Sequence, residues 1–194
     1  MMMSWTSWTS SNRARATWVA LMLTMPISAG AAEIEGVEFA DEVKAGEVAL
    51  TLNNVGLLRY MVFIKAYVAA LYLGPDVAPD EVLADTPKRL SITYFYSITA
   101  EQFSTSTQDA IRANVGDDRY AELGESIEKF TALYRSVEPG DRYELTYLPG
   151  VGTELSLNGK PLGRIPGAEL GSAVFSIWFG EREIDADLKR EVGS

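Results

Sequence analysis

The sequence predicts an α+β fold: strands first, then helices, then strands again, then a closing helix. Three observations carry that expectation. Val48, Leu50 and Leu52 alternate with smaller or polar residues, and Arg89–Ser97 (RLSITYFYS) is rich in β-branched and aromatic residues, both marks of strands. From Ala100 to Val137 the apolar residues move to helical spacing. Beyond that the pattern reverts to short strands around Asn158-Gly159, the strongest local hairpin signal in the chain. Strands and helices in separate blocks indicate α+β rather than a doubly wound sheet.

Residues 1–32 read as a secretory signal. Arg13 and Arg15 precede the apolar stretch ATWVALMLTMPI, and the small residues SAGAA follow it. The apolar stretch is shorter than the ~20 residues a spanning helix needs. Cleavage after Ala31 or after Ala32 fits the pattern. One domain, residues 33–194, is expected beyond it, in an exported and periplasmic protein with no integral membrane span after cleavage.

Within that domain, VEFADEVKAGEVALTLNNVG reads as two short strands around Gly46. Pro79–Pro87 (PDEVLADTP) reads as a short helix bracketed by prolines. Thr99 followed by Gln102 is a capping-box pattern, opening a helix that stops near Gly116. Asp117 or Asp118 is expected to cap the next helix. That helix carries Tyr120, Leu123, Ile127, Phe130, Leu133 and Tyr134 on one face through Val137. Two short strands follow, then a helix over Ala168–Phe179 that ends at Gly180, a plausible C-cap. Asp185–Val192 reads as a final helical turn.

Composition narrows the chemistry. The chain has 194 residues, a net charge of −10, no Cys and no His. Removing residues 1–32 takes away two Arg and no acid, so the remaining charge is −12. An acidic chain lacks the basic patches that bind nucleic acid. Without Cys or His there is no disulfide, no Cys nucleophile, no Ser-His-Asp triad and no His-ligated zinc site. No metal site is expected, because the densest acidic cluster, Gly116–Arg119, lacks the spacing of a calcium loop. No cofactor is expected either. Gly150 and Gly152 are not followed by the Lys-Ser/Thr of a phosphate loop and read as a strand turn.

The most informative stretch is Asn53–Gly74, NNVGLLRYMVFIKAYVAALYLG. It is nearly all apolar, yet it carries Arg59 and Lys65. Taken as one extended run from Leu57 to Leu73, it places Leu58, Tyr60, Val62, Ile64, Ala66 and Val68 on one face. Arg59, Met61, Phe63, Lys65 and Tyr67 fall on the other. An unpaired buried charge is costly, so Arg59 must reach solvent, pair with an acid, or line a cavity that receives an anionic or carbonyl-bearing molecule. A structural ion pair for Arg59 and a solvent-reaching Lys65 is the commoner arrangement. The third role suits the planar fork of Arg.

These segments, with PKRLSITYFYSITAEQF, GDRYELTYLPGVGTELSLNGK and AVFSIWFGE, resemble the chalcone isomerase-like family, most closely its bacterial exported branch. The resemblance runs in order through nearly the whole of residues 33–194. It implies an open-faced β-sandwich, a large antiparallel sheet covered by a helical layer with a cleft between them. Some members of the family cyclise chalcones; others resemble fatty-acid-binding proteins and lack that activity. The enzymes' charge-stabilising Arg matches Arg59. Their Thr matches Tyr67, and their Tyr and Asn match Phe103 and Ala110. Three of these four positions therefore depart from the enzymes. Arg with Tyr at the two strand positions resembles the fatty-acid-binding members, in which the pair holds a carboxylate.

Three functions follow. The first is an exported, non-catalytic protein that binds a fatty acid or similar apolar anion. Arg59 and Tyr67 anchor the head, while Met61, Phe63, Phe103 and residues of the Ala168–Trp178 helix line the cleft. The second is a chalcone isomerase-type intramolecular lyase, with Arg59 and Tyr67 catalytic and Tyr94 or Tyr96 replacing the missing Tyr. The third is an envelope structural protein with a vestigial cleft. Trp178 and Phe175, at helical spacing, are expected to serve the core.

Overall fold

A computed structural model describes residues 31–60, 64–182 and 185–193. Apart from Ala31 and Ala32, the expected export segment lies outside these residues. Strands β1 (Ala31–Ile34) and β2 (Val37–Ala40) form a small hairpin. Strands β3 (Glu42–Ala45), β4 (Val48–Tyr60), β5 (Ile64–Leu73), β6 (Lys88–Tyr94), β7 (Arg142–Leu148), β8 (Gly152–Leu157) and β9 (Lys160–Ile165) form one antiparallel sheet in sequence order. Helices α1 (Ala100–Val115), α2 (Asp117–Glu122), α3 (Gly124–Thr131), α4 (Ala168–Phe179) and α5 (Ala186–Val192) complete the chain. This is the expected α+β architecture.

Alternation along the strands divides the core in two. Tyr67, Ala69, Leu71 and Leu73 of β5, with Leu90 and Ile92 of β6, pack under the helices. Val68, Ala70 and Tyr72 face the other way, onto Phe39, Leu50 and Leu57 under the β1–β2 hairpin. Helix α4 lies deepest, with Leu170, Ala173, Val174, Phe175 and Ile177 all buried. Its Gly171 allows the close approach to the sheet. A Cβ there would come within 2.6 Å of the Tyr147 ring.

The local signals place several elements well. Thr99 Oγ1 accepts from the Gln102 N–H at 3.2 Å, and Gln102 Oε1 accepts from the Thr99 N–H at 2.8 Å. The β8–β9 turn has Asn158 at φ 50° and Gly159 at φ 74°, the two positive angles of a type I′ hairpin. Gly180 caps α4, its N–H bonding Ser176 O.

Four expectations are corrected. The 79–87 segment forms only a 3₁₀ turn at Pro79–Glu81. Its later carbonyls, Ala84 O and Thr86 O, accept from Lys88 Nζ instead of helical N–H groups. The helix expected through Val137 breaks at Leu123–Gly124 and ends at Thr131. Gly is a poor helix former, and Leu123, Ile127 and Phe130 are all buried on either side of the break. The N-cap of α2 is Gly116, while Asp117 and Asp118 occupy its first turn, near the positive end of the helix dipole.

The fourth correction bears on function. Leu57–Leu73 is not one extended run but the two arms of a hairpin, with Leu57 opposite Val68 and Leu58 opposite Tyr67. Two register shifts interrupt the β4–β5 pairing. One leaves Asn53 as an extra residue between the Leu52/Tyr72 and Asn54/Leu71 pairs. The other leaves Ala66 extra between Leu58/Tyr67 and Arg59/Lys65. Each bulge reverses the alternation beyond it.

Among the described residues, one cation is buried in the core. Lys88 is wholly inaccessible, with its Nζ 4.7 Å from the centroid of Tyr147 and 5.4 Å from that of Phe175. Tyr147 in turn hydrogen-bonds Asp85. Burial lowers the Lys88 pKa to about 8, with Asp85 opposing the shift. From about pH 8 to the unfolded Lys value near 10.5, the unfolded chain binds more protons than the folded one, so stability rises with pH. The buried phenols, whose pKa values are raised, act in the opposite sense above about pH 10. Urea unfolding is expected to show a gain on the order of 1–2 kcal/mol between pH 7.5 and 9.5. Lys88→Met should abolish that gain. An unchanged pH dependence in the variant would remove Lys88 as its source.

Candidate functional site

Between α1, α4 and the concave face of β5 and β6 lies a cavity of about 270 Å³. The sheet contributes Tyr67 and Tyr94 to its wall. Ile98 and the α1 residues Gln102, Phe103, Ser106 and Thr107 form another side, and Ile177 and Trp178 of α4 close it with Tyr134. Phe103, Ser106 and Thr107 reach the cavity together because positions three and four apart share one helix face. Tyr134 arrives from the turn after α3, placed there by the early end of that helix.

The wall is a packed aromatic cluster. Tyr67 and Tyr94 meet edge to face at 5.6 Å between ring centroids, and Tyr94 meets Phe103 at 5.2 Å. Phe103 stacks on Tyr134 at 5.2 Å and stands perpendicular to Tyr143 at 5.3 Å. Such contacts add about 0.5–1.5 kcal/mol each beyond area burial. They hold the rings in place.

The polar groups are neutral. Trp178 Nε1–H donates to Tyr67 Oη at 2.9 Å, which leaves the Tyr67 proton available to an acceptor in the cavity. The Tyr134 and Thr107 hydroxyls bond each other at 2.9 Å. Among the described residues the Tyr94 hydroxyl has no hydrogen-bond partner, so it too can donate to a bound molecule. Burial pushes the Tyr67 phenol up, outweighing the Trp178 hydrogen bond that lowers it, with Asp185 adding to the rise. Burial also pushes Tyr94 well up, with its neighbouring phenols adding to the effect, and raises Tyr134. These hydroxyls are therefore protonated donors at neutral pH. Among the described residues no group of three or more acidic side chains is placed to hold a metal ion.

The residues singled out from the sequence are dispersed. Tyr67 and Phe103 line the cavity. Arg59 does not: it is exposed, pairs across the hairpin with Lys65, and falls by alternation on the same face as Leu57. Lys65 bonds Glu35 in the β1–β2 turn on that face. Met61 and Phe63 lie outside the described residues. Ala110 packs against the core without lining the cavity. Tyr96 is exposed. Asn114 ties the end of α1 to the segment after α4 through Arg182 N and O.

Trp178 is the residue whose role differs most from the sequence reading. It both lines the cavity and fixes Tyr67. Its signal was a single indole N–H in a largely apolar helix, since a buried Trp donor needs an acceptor. Gln102 was legible as the partner of Thr99 in the capping box, and Ser106 and Thr107 only as hydroxyl positions within the helix.

A family profile described as chalcone isomerase-like matches residues 31–192. The chain belongs to the chalcone isomerase-like family. No curated protein matches the sequence. Among solved structures, the fold is similar to that of a fatty-acid binding protein of Arabidopsis thaliana. The TM-score is 0.65 at 15% identity, over 84% of this chain and 96% of that one. The shared fold accounts for the sheet, the helical layer and the cleft between them.

The Tyr67–Trp178 bond gives a direct test. Tyr67→Phe keeps the ring and removes the acceptor, leaving a part-buried indole N–H unsatisfied. The variant is expected to lose about 1–2 kcal/mol in urea unfolding. A loss below about 0.3 kcal/mol would mean that the bond does not hold the two elements together.

Proposed function

We propose that this protein binds an apolar small molecule of the fatty-acid class in the cavity beside Tyr67, without transforming it, and that it acts after export. The observation that carries this reading is the cavity itself. It is apolar and walled by rings, with two phenol donors turned inward and, among the described residues lining it, no carboxylate, Lys or Arg to serve as acid or base. Phe103 supports it, because its ring sits in the wall without the hydroxyl that the resemblance assigns to the cyclising enzymes. Membership of the family and the fatty-acid binding protein that shares the fold support it further. In this reading Tyr67 meets the polar end of the ligand. The placement of Arg59 on the other face of the sheet argues against a direct anchoring role for it.

The unpartnered Tyr94 hydroxyl favours one other reading, an intramolecular lyase in which Tyr94 polarises an enone. Loss of chalcone absorbance above the spontaneous rate would support that reading, and no acceleration would dismiss it for this substrate.

Mass spectrometry of small molecules extracted from the purified protein tests the binding reading. An apolar molecule is expected from the parent and from Arg59→Ala, and severalfold less from Tyr67→Phe. Retention in Tyr67→Phe with loss in Arg59→Ala would return the anchor to Arg59. N-terminal sequencing of the exported form tests the location. Ala32 or Glu33 is the expected first residue, and an intact Met1 would count against cleavage.

A further inference from the structure

Resting on the binding reading, the charges around the cavity narrow the ligand class. Among the described residues, no Lys or Arg lines the cavity. Residues 61–63 and 183–184, outside the described set, are Met, Val, Phe, Glu and Ile, while Arg13 and Arg15 belong to the segment expected to be cleaved. Lys65 of β5 bonds Glu35, Arg112 of α1 pairs with Asp117 and lies over the Tyr120 ring, and Arg59 falls by alternation on the opposite face of the sheet. Gln102 and Ser106 form the mouth and also border a shallow groove along α1, where the charged residues are Glu101 and Asp109. A carboxylate would therefore pass an acidic rim into a wall that offers only neutral donors. An ion desolvated without a partner costs several kcal/mol, far more than two neutral hydrogen bonds at about 1 kcal/mol each return.

We infer that the cavity selects an apolar molecule whose accepting end is uncharged (a ketone, an aldehyde, an ester or a protonated acid) and discriminates against the carboxylate form. Tyr67 and Tyr94 donate to that end, and Ile98, Phe103 and Ile177 enclose the rest. At roughly 30 Å³ per water-sized group, about 270 Å³ holds roughly nine such groups, so a ten-carbon probe fills the cavity with its last atoms at the mouth.

Trp178 supplies the readout. The other three tryptophans, Trp5, Trp8 and Trp18, precede residue 32, so replacing them with Phe in the full chain leaves one indole, in the cavity wall. Binding of 2-decanone and of decanoate is then followed by Trp178 emission and by calorimetry at pH 8 and pH 6. The ketone is expected to bind at least tenfold more tightly than decanoate at pH 8, with little change at pH 6. Decanoate should tighten by on the order of a hundredfold between pH 8 and pH 6 as its protonated fraction grows, since carboxyl pKa values lie near 4–5. Ser106→Arg, at the exposed mouth, should strengthen decanoate relative to the ketone severalfold at pH 8. Decanoate that equals or exceeds the ketone at pH 8, or whose affinity ignores pH, would overturn the inference while leaving the binding reading intact. No response to either probe by emission and calorimetry would overturn both.

Discussion

A β-strand moves a side chain to the opposite face only when a residue is inserted or lost, and two insertions in the β4–β5 hairpin govern what this protein presents to a ligand. The extra residue at Asn53 puts Gly56 and Leu58 on the helical side. The extra residue at Ala66 brings Tyr67 to that side while Lys65 stays opposite, beside Arg59. Without the second bulge, Tyr67 and Lys65 would share a face, and a cation would stand at the cavity. The neutral wall is thus a consequence of strand register.

The helical layer depends on the same hairpin. Gly56 lies where α5 crosses β4, and a Cβ there would come within 2.9 Å of both Leu188 and Val192. Glu191 accepts the Leu57 N–H at 3.1 Å, and Asn53 donates to Val192 O at 2.9 Å. Helix α5 therefore satisfies backbone groups around the first bulge. Asp185, its N-cap, acts electrostatically on Tyr67. The cavity wall and the C-terminal helix are parts of one arrangement.

Lys88 and Arg59 illustrate two ways of placing a cation in an apolar strand. Lys88 is enclosed and satisfied by two carbonyls and two ring faces, at the cost of a lowered pKa. Arg59 stays in water near the hairpin end. Both strands read in sequence as apolar runs with basic residues at one end, Arg59 in β4 and Lys88 with Arg89 in β6. Only the neighbours contributed by other elements separate the two outcomes.

Tyr67 and Phe103 became residues of interest through the resemblance to the chalcone isomerase-like family, whereas the sequence by itself determined the local features: the α+β order, the Thr99–Gln102 capping box, the Asn158-Gly159 turn and the Gly180 cap. Each depends on neighbours within a few positions, where backbone geometry and side-chain chemistry act directly. Tertiary structure decided the rest. The hairpin within Leu57–Leu73, its Ala66 bulge, the break at Leu123 and the partnership of Trp178 with Tyr67 across 111 residues are all set by packing between distant elements. Period-two alternation carries no mark of where a register shift occurs, because an inserted apolar residue looks the same on either face. That is why Arg59 and Tyr67, on one face in the sequence pattern, stand on opposite faces of the folded sheet.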